Sequence, residues 1–246
     1  MGASLTSGDG PYAAGMANTA TPLPQGTEKA TAVRGMFDAI APRYDLVNRV
    51  MTFGLDRSWR RHTVSELGLA PGSVVLDLAT GTGDLCAEAA RQGLNPIGID
   101  LALGMLQAGH AAAPRAQGDI TRLPVPDGVA DGAVCGFALR NVVSLDALFA
   151  ELARTLRPGG RIGLLEVDRP DNPVIGFGHH LYFDRIVPVI GGLLSDRDAY
   201  RYLPASTAYL PSRLELLERL GAAGFEHLEH RRFLFGASQL ITATRS

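Results

Sequence analysis

The segment from Val74 to Leu85 constrains this chain more than any other. The apolar run Val74-Val75-Leu76 ends in Asp77, turns through Gly81-Thr82-Gly83 and opens a helix at Asp84-Leu85. A second apolar run, Pro96-Ile97-Gly98-Ile99, ends at Asp100. Strand, glycine turn and helix in this order form a nucleotide-binding corner. The spacing is Gly-x-Gly with no glycine three residues on, and Asp84 occupies the first helical turn, where a dinucleotide would lay its pyrophosphate. A carboxylate about 4 Å from a phosphate repels it by roughly 1 to 4 kcal/mol. The sulfonium and ammonium of S-adenosylmethionine reverse that sign. The corner therefore reads as an S-adenosylmethionine site, and a NAD(P)-dependent oxidoreductase is disfavoured.

The rest of the chain alternates in the same way. Strands are expected at 73–78, 95–99, 115–118, 132–136 and 161–167, with helices at 83–92, 103–112 and 145–156 between them. Such alternation predicts an α/β fold, a parallel sheet with helices on both faces. Arg157-Pro158-Gly159-Gly160 reads as a tight turn into the 161–167 strand. A helix at 212–222 leads to two closing strands, near 225–234 and 238–244, too close in sequence to pair other than antiparallel. A mostly parallel, seven-stranded Rossmann-like sheet finished by an antiparallel hairpin is the layout of the class I methyltransferases.

Ahead of the sheet, Val33, Met36, Phe37 and Ile40, then Leu46, Val47, Val50 and Met51, recur at helical spacing. They predict two short helices broken near Pro42, with a third from Trp59 to Leu69. Residues 1–28 are rich in Gly, Ala, Ser, Thr and Pro, and are expected to be a disordered leader. The remainder, 29–246, is read as one domain, with 29–70 a helical lid and 171–211 an insertion capping the substrate. A net charge of −2 lends no support to nucleic-acid binding, which shows a basic excess. Cys86 and Cys135 fall inside apparent core elements, and no run of 18 apolar residues exists, so a cytoplasmic location is expected.

The chain resembles a particular family, the ubiquinone/menaquinone biosynthesis C-methyltransferases, from Val33 to about Gly236. The resemblance is carried by Met36-Phe37-Asp38 with Arg43-Tyr44-Asp45-Leu46, by Trp59-Arg60-Arg61, and by the glycine motif. It continues through Leu139-Arg140-Asn141-Val142, Arg157-Pro158-Gly159-Gly160, Leu165-Glu166 and Tyr200-x-Tyr202-Leu203. The family usually reads Ser-Phe-Gly where this chain has Gly136-Phe137-Ala138. The resemblance implies transfer of a methyl group from S-adenosylmethionine to a ring carbon of a polyprenylated quinol. Demethylmenaquinol is the leading expectation, another phenolic small molecule is the alternative, and a non-catalytic cofactor-binding subunit is a third class.

Roles follow from chemistry and position. A strand-terminal carboxylate takes two O–H donors at once, which suits Asp100 to the ribose hydroxyls. Gly81, Thr82 and Gly83 suit the methionine moiety beside a helix N-terminus. Asp77 complements the cofactor ammonium or acts as a buried acid capping the glycine turn. In this fold Asp119 receives the adenine amino group, Ile120 packs on the ring, and Gly136 and Phe137 line the pocket. A carbon nucleophile needs an electron-rich phenolate, and a guanidinium lowers the phenol from its usual value of about 10. Arg140 is the candidate, with Asn141 holding the quinol oxygen or a proton-accepting water. The alternative is that Arg140 pairs with Asp38, Asp45 or Glu166 and locks the lid.

Tyr44, Asp45, Tyr200 and Tyr202 are expected either to roof the substrate cleft or to pack there. No metal is expected, because His179 and His180 are adjacent and diverge on a helix. The interrupted apolar run 174–194 fits three readings equally: the mouth of an isoprenoid-binding groove or a face resting on the inner surface of a membrane, a lid on the core, or a homodimer face.

Overall fold

A computed structural model describes residues 25–246 apart from 169, 195–201, 203 and 204. Three helices come first: α1 (Gly26–Ile40), α2 (Tyr44–Met51) after a 3-10 turn at Ala41–Arg43, and α3 (Asp56–Ser65). Pro42 separates α1 from α2, since it lacks the N–H that would continue the ladder. Residues 1–24 of the expected leader lie outside the described residues, and α1 already begins at Gly26.

The alternating segment follows as β1 (Val74–Leu78), α4 (Asp84–Arg91), β2 (Asn95–Asp100), α5 (Leu103–Ala108), β3 (Arg115–Gln117), β4 (Ala130–Gly136), α6 (Leu145–Thr155) and β5 (Leu156–Val167). Next come α7 (Pro173–Leu181), a π-helical turn (Tyr182–Ile186), α8 (Val187–Leu194), α9 (Arg213–Ala222), β6 (Phe225–Phe233) and β7 (Ser238–Arg245). The seven strands lie in the order β3-β2-β1-β4-β5-β7-β6. All pairs are parallel except β5 with β7 and β6 with β7. The hairpin thus inserts its second strand beside β5 and leaves β6 at the edge.

One face of the sheet packs Leu76, Leu78, Ile162 and Leu164 against Leu148, Phe149 and Leu152 of α6 and Leu216 and Leu220 of α9. The other packs Val75 and Val134 against Val64 of α3 and Leu85 and Ala89 of α4. Alternation along β1 assigns its neighbouring residues to opposite cores. Among the described residues no helix is long and apolar enough to cross a membrane.

Three expected boundaries move. The third helix, expected from Trp59 to Leu69, runs from Asp56 to Ser65. The turn at residues 157–160 is instead part of β5, where Ala130 pairs with Leu156 and Gly132 with Arg161. Four residues bulge out between those pairs, held by Arg157 Nη1 to Asp131 Oδ1 at 2.7 Å. Helix α5 stops at Ala108, short of residue 112. Gly109 leaves helical geometry, and the space a Cβ would need there is filled by the Arg115 guanidinium. Arg115 donates to the carbonyls of Gly109 at 3.2 Å and Thr82 at 3.4 Å.

Candidate active site

The order β3-β2-β1-β4 reverses direction at β1, so the carboxyl ends of β1, β2 and β4 border the crevice in which open α/β sheets bind ligands. The chain leaves β1 through Ala79 at φ 53°, Gly81 at 58° and Gly83 at 93°. Gly83 is obligatory twice over, because its φ disfavours L side chains and an added Cβ would meet Ala111 Cβ at 2.6 Å. At Gly136, which ends β4, a Cβ would meet Leu85 Cδ1 at 2.9 Å.

Two acids are buried against this turn. Asp100 accepts from Gly81 N through Oδ2 and from Ala102 N through Oδ1, both at 2.8 Å. Each oxygen keeps a lone pair, and burial raises the carboxyl above its ordinary value. Asp77 uses only one oxygen: Oδ2 accepts from Thr80 Oγ1 at 2.6 Å and Cys86 N at 2.9 Å. Asp77 Oδ1 is buried with no hydrogen-bond partner. Burial lifts this carboxyl to about 6, against bonds from Thr80 and Cys86 that lower it. The turn after β3 joins the same end of the sheet, with Gly118 N donating to Asp100 O at 2.9 Å. Asp119 is exposed and accepts from Thr121 N and Oγ1, and Ile120 is buried.

The N-terminal helices rest directly on this crevice. Thr82 Oγ1 donates to Asp45 Oδ1 at 2.7 Å, and Gly104 N donates to Asp38 Oδ1 at 2.7 Å. Lys29, nearly buried, donates to Val142 O at 2.8 Å and sits 3.8 Å over the Tyr209 ring. Asp45 therefore meets the glycine turn itself. Tyr44 is partly buried, edge-on to Phe37, and burial raises its hydroxyl above the ordinary value.

Arg140 lies in a 3-10 turn after β4 and is buried. Its Nη1 pairs closely with Glu166 Oε1 and also donates to Phe137 O at 2.8 Å. Its Nε donates to Ser206 Oγ at 3.1 Å, and its backbone N to Glu166 Oε2 at 3.2 Å. Of the three acids open to it in sequence, Glu166 is thus the partner. Asn141 Oδ1 accepts from Tyr202 OH at 3.3 Å, and burial pushes the Tyr202 hydroxyl up to about 12. Tyr200 lies outside the described residues.

Residues 25–245 match the ubiE/COQ5 methyltransferase family. The chain belongs to this family. It is similar to a ubiquinone/menaquinone biosynthesis C-methyltransferase, UbiE, of Syntrophotalea carbinolica, at 41% identity over 87% of this chain and 94% of that protein. It is equally similar, at 41%, to a demethylmenaquinone methyltransferase of Mycolicibacterium vanbaalenii, over 87% and 95% of the two chains. Among solved structures, the cyclase SpnF aligns with TM-score 0.64 at 16% identity, over 90% and 96% of the chains. A Haemonchus contortus phosphoethanolamine N-methyltransferase 2 complex aligns with TM-score 0.56 at 16% identity, over 76% of this chain and 52% of that one. Likeness at this level establishes the fold alone, and a cyclase in the set shows how little the fold says about the reaction.

In this family member, sequence reasoning gave no role to Arg60, which the structure puts at the centre of a network. It pairs closely with Asp56, lies 3.3 Å from Asp84 Oδ2, and faces the Phe137 ring at 5.8 Å. His110 Nδ1 and Nε2 bridge Asp45 at 3.6 Å and Asp84 at 3.7 Å. Asp45, Asp84 and His110 bring one ligand atom each within 4.8 Å, but Arg60 already supplies a cation at Asp84. The only hint had been Trp59-Arg60-Arg61 among the family motifs. Ser206, which fixes Arg140 Nε, carried no hint at all.

Proposed function

We propose that the chain transfers a methyl group from S-adenosylmethionine to a ring carbon of a polyprenylated quinol, converting demethylmenaquinol to menaquinol. The observation that carries the cofactor is Asp77 Oδ1, a buried carboxylate oxygen without a partner at the carboxyl end of β1. Such an orphan is costly unless a ligand donor reaches it, and an ammonium is the donor its charge favours. Asp100, with one backbone donor on each oxygen, keeps acceptor capacity for the two ribose hydroxyls.

When bound, S-adenosylmethionine supplies an electrophilic methyl, and the protein's part is placement and exclusion of water. The quinol is read as lying between Phe137, Arg140, Asn141, Tyr44 and Tyr202. Burial raises the neighbouring phenols of Tyr44 and Tyr202, and the field of Arg140, paired with Glu166, opposes that rise only in part. For a substrate phenol in that position Arg140 would likewise oppose the rise that burial causes, favouring the phenolate relative to the same site without the guanidinium. The Asn141 amide, with Oδ1 engaged by Tyr202, keeps its N–H donors for the quinol oxygen. Helices α1 and α2 act as a lid on the glycine turn through Asp45, and α7, α8 and residues 205–209 cap the other side.

The reading extends to the membrane that houses such a substrate. Phe53 (78% exposed) and Phe177 (71%) project from the lid and the cap. Arg49 and Arg57, four residues on either side of Phe53, are exposed and form no ion pair among the described residues. An apolar face ringed by unpaired cations suits the inner surface of a bilayer.

The deciding experiment is transfer of labelled methyl from S-adenosylmethionine to a reduced demethylmenaquinone with a short prenyl tail. Label on the ring carbon supports the assignment. Absence of transfer with S-adenosylmethionine still bound moves the substrate to another phenol.

A further inference from the structure

Outside the cleft, α3 and the turn that joins β6 to β7 enclose a surface cavity of about 350 Å³, within the size range of ligand sites. Its apolar walls are Leu55, Trp59, Phe233 and Leu234, and the polar side is made by Ser58, Arg61, His62 and Ser65. Trp59 is buried and lies between this cavity and Phe137. Its indole stacks on Phe233 at 6.2 Å and 20°, and lies 6.3 Å from Phe137. Phe137 ends β4 at a positive φ of 59°, beside the residues read as the quinol site.

Leu234 of the cavity wall sits in a strained turn, followed by Phe235 just outside the lining. Leu234 and Phe235 are successive non-glycine residues in the left-handed region, at φ 43° and 56°. Their side chains are 49% and 79% exposed, so burial does not compensate the strain. Leu55, on the opposite rim, is 37% exposed. Exposed Leu234 and Leu55 at the mouth of a cavity floored by Trp59 and Phe233 favour an apolar occupant.

We propose that this groove receives the isoprenoid tail of the substrate. The inference rests on the quinol reading, because a ring held against Phe137 needs an apolar exit for its chain. The groove offers it a short way off, since Trp59 packs near Phe137 on one side and lines the groove on the other.

Trp59 is the only tryptophan of the chain, so its fluorescence reports occupancy directly. Titration with geranylgeraniol should change the emission saturably in the wild-type protein. Leu234→Glu, at an exposed position, and Ser58→Phe, which fills the groove, should each weaken that binding at least about tenfold. In turnover, both variants should raise KM for a geranylgeranyl-bearing demethylmenaquinol and leave kcat, and KM for a tailless naphthoquinol, unchanged. Absence of a saturable change in the wild type overturns the groove, as does equal binding by both variants or an equal rise in KM for the tailless quinol. Geranylgeraniol binding that the variants lose, in a protein that methylates no quinol, would retain an isoprenoid groove while refuting the reaction.

Discussion

Replacing Asp77 with Asn should stabilise the free protein and weaken its hold on S-adenosylmethionine, two effects of opposite sign from one atom. In the wild type, burial raises this carboxyl from 3.8 to about 6. The folded chain therefore binds the proton more tightly than the unfolded chain. The stability this confers is present below pH 4 and is lost as pH rises from about 4 to 6. Above that, the buried charge costs about 3 kcal/mol. Asn keeps an acceptor for Thr80 Oγ1 and Cys86 N, but its amide donors take the place of an unpartnered oxygen, at about 1 to 2 kcal/mol. The net gain at pH 7.5 is about 1 to 2 kcal/mol, a rise in Tm of about 2 to 8 °C for a chain of this size. The bound state moves the other way, because a charge-assisted hydrogen bond contributes about 1.5 to 3 kcal/mol, or roughly 10- to 150-fold in Kd. Thermal unfolding of the two proteins at pH 4.5 and 7.5, with calorimetry for S-adenosylmethionine, reads both effects. The variant's advantage should grow as pH rises through the window. Unchanged affinity together with unchanged Tm would refute the reasoning, because Asp77 Oδ1 would then be neither a desolvated charge nor the ammonium site.

Three further outcomes are expected. Asp100→Ala should abolish S-adenosylmethionine binding, since Gly81 N and Ala102 N lose their acceptor along with the ribose partner; near-normal affinity in calorimetry would remove that assignment. Arg140→Ala leaves Glu166 buried and unpaired, and should cost about 3 to 5 kcal/mol in denaturant unfolding. Adding Glu166→Gln should restore most of that stability without restoring turnover, whereas recovery of both would make the pair purely structural. Gly83→Ala should fold poorly, because its Cβ would lie 2.6 Å from Ala111 Cβ at φ +93°; wild-type stability in a melt would show that the turn relaxes freely.

The glycine corner, the alternation of strands and helices and the antiparallel ending were legible because each is carried by neighbouring residues. Periods of 2 and 3.6, together with Gly, Pro and acids at strand ends, are local properties of the chain. Asp100 was legible for the same reason, as the acid that ends the strand next after the glycine turn. Boundaries that depend on a distant side chain were not. Helix α5 looked longer than it is because Arg115, six residues beyond Gly109, fills the space where the helix would continue.

The partner of Arg140 shows the limit most directly. Asp38, Asp45 and Glu166 were chemically equivalent choices in sequence. The register of β4 on β5, with Gly136 opposite Leu165, delivers Glu166 to Arg140 across 26 residues. Asp38 is taken by Gly104 N, and Asp45 by Thr82. Likewise Arg60 and Ser206 acquire roles only through the packing of α3 under Phe137 and of the cap against the turn after β4. What the sequence determined by itself was the kind of corner and the sign of charge it favours, since both follow from residue types a few positions apart. Which buried charges pair, and which buried oxygen is left without a partner, was decided by the tertiary structure, because desolvation and strand register act between residues the chain keeps far apart.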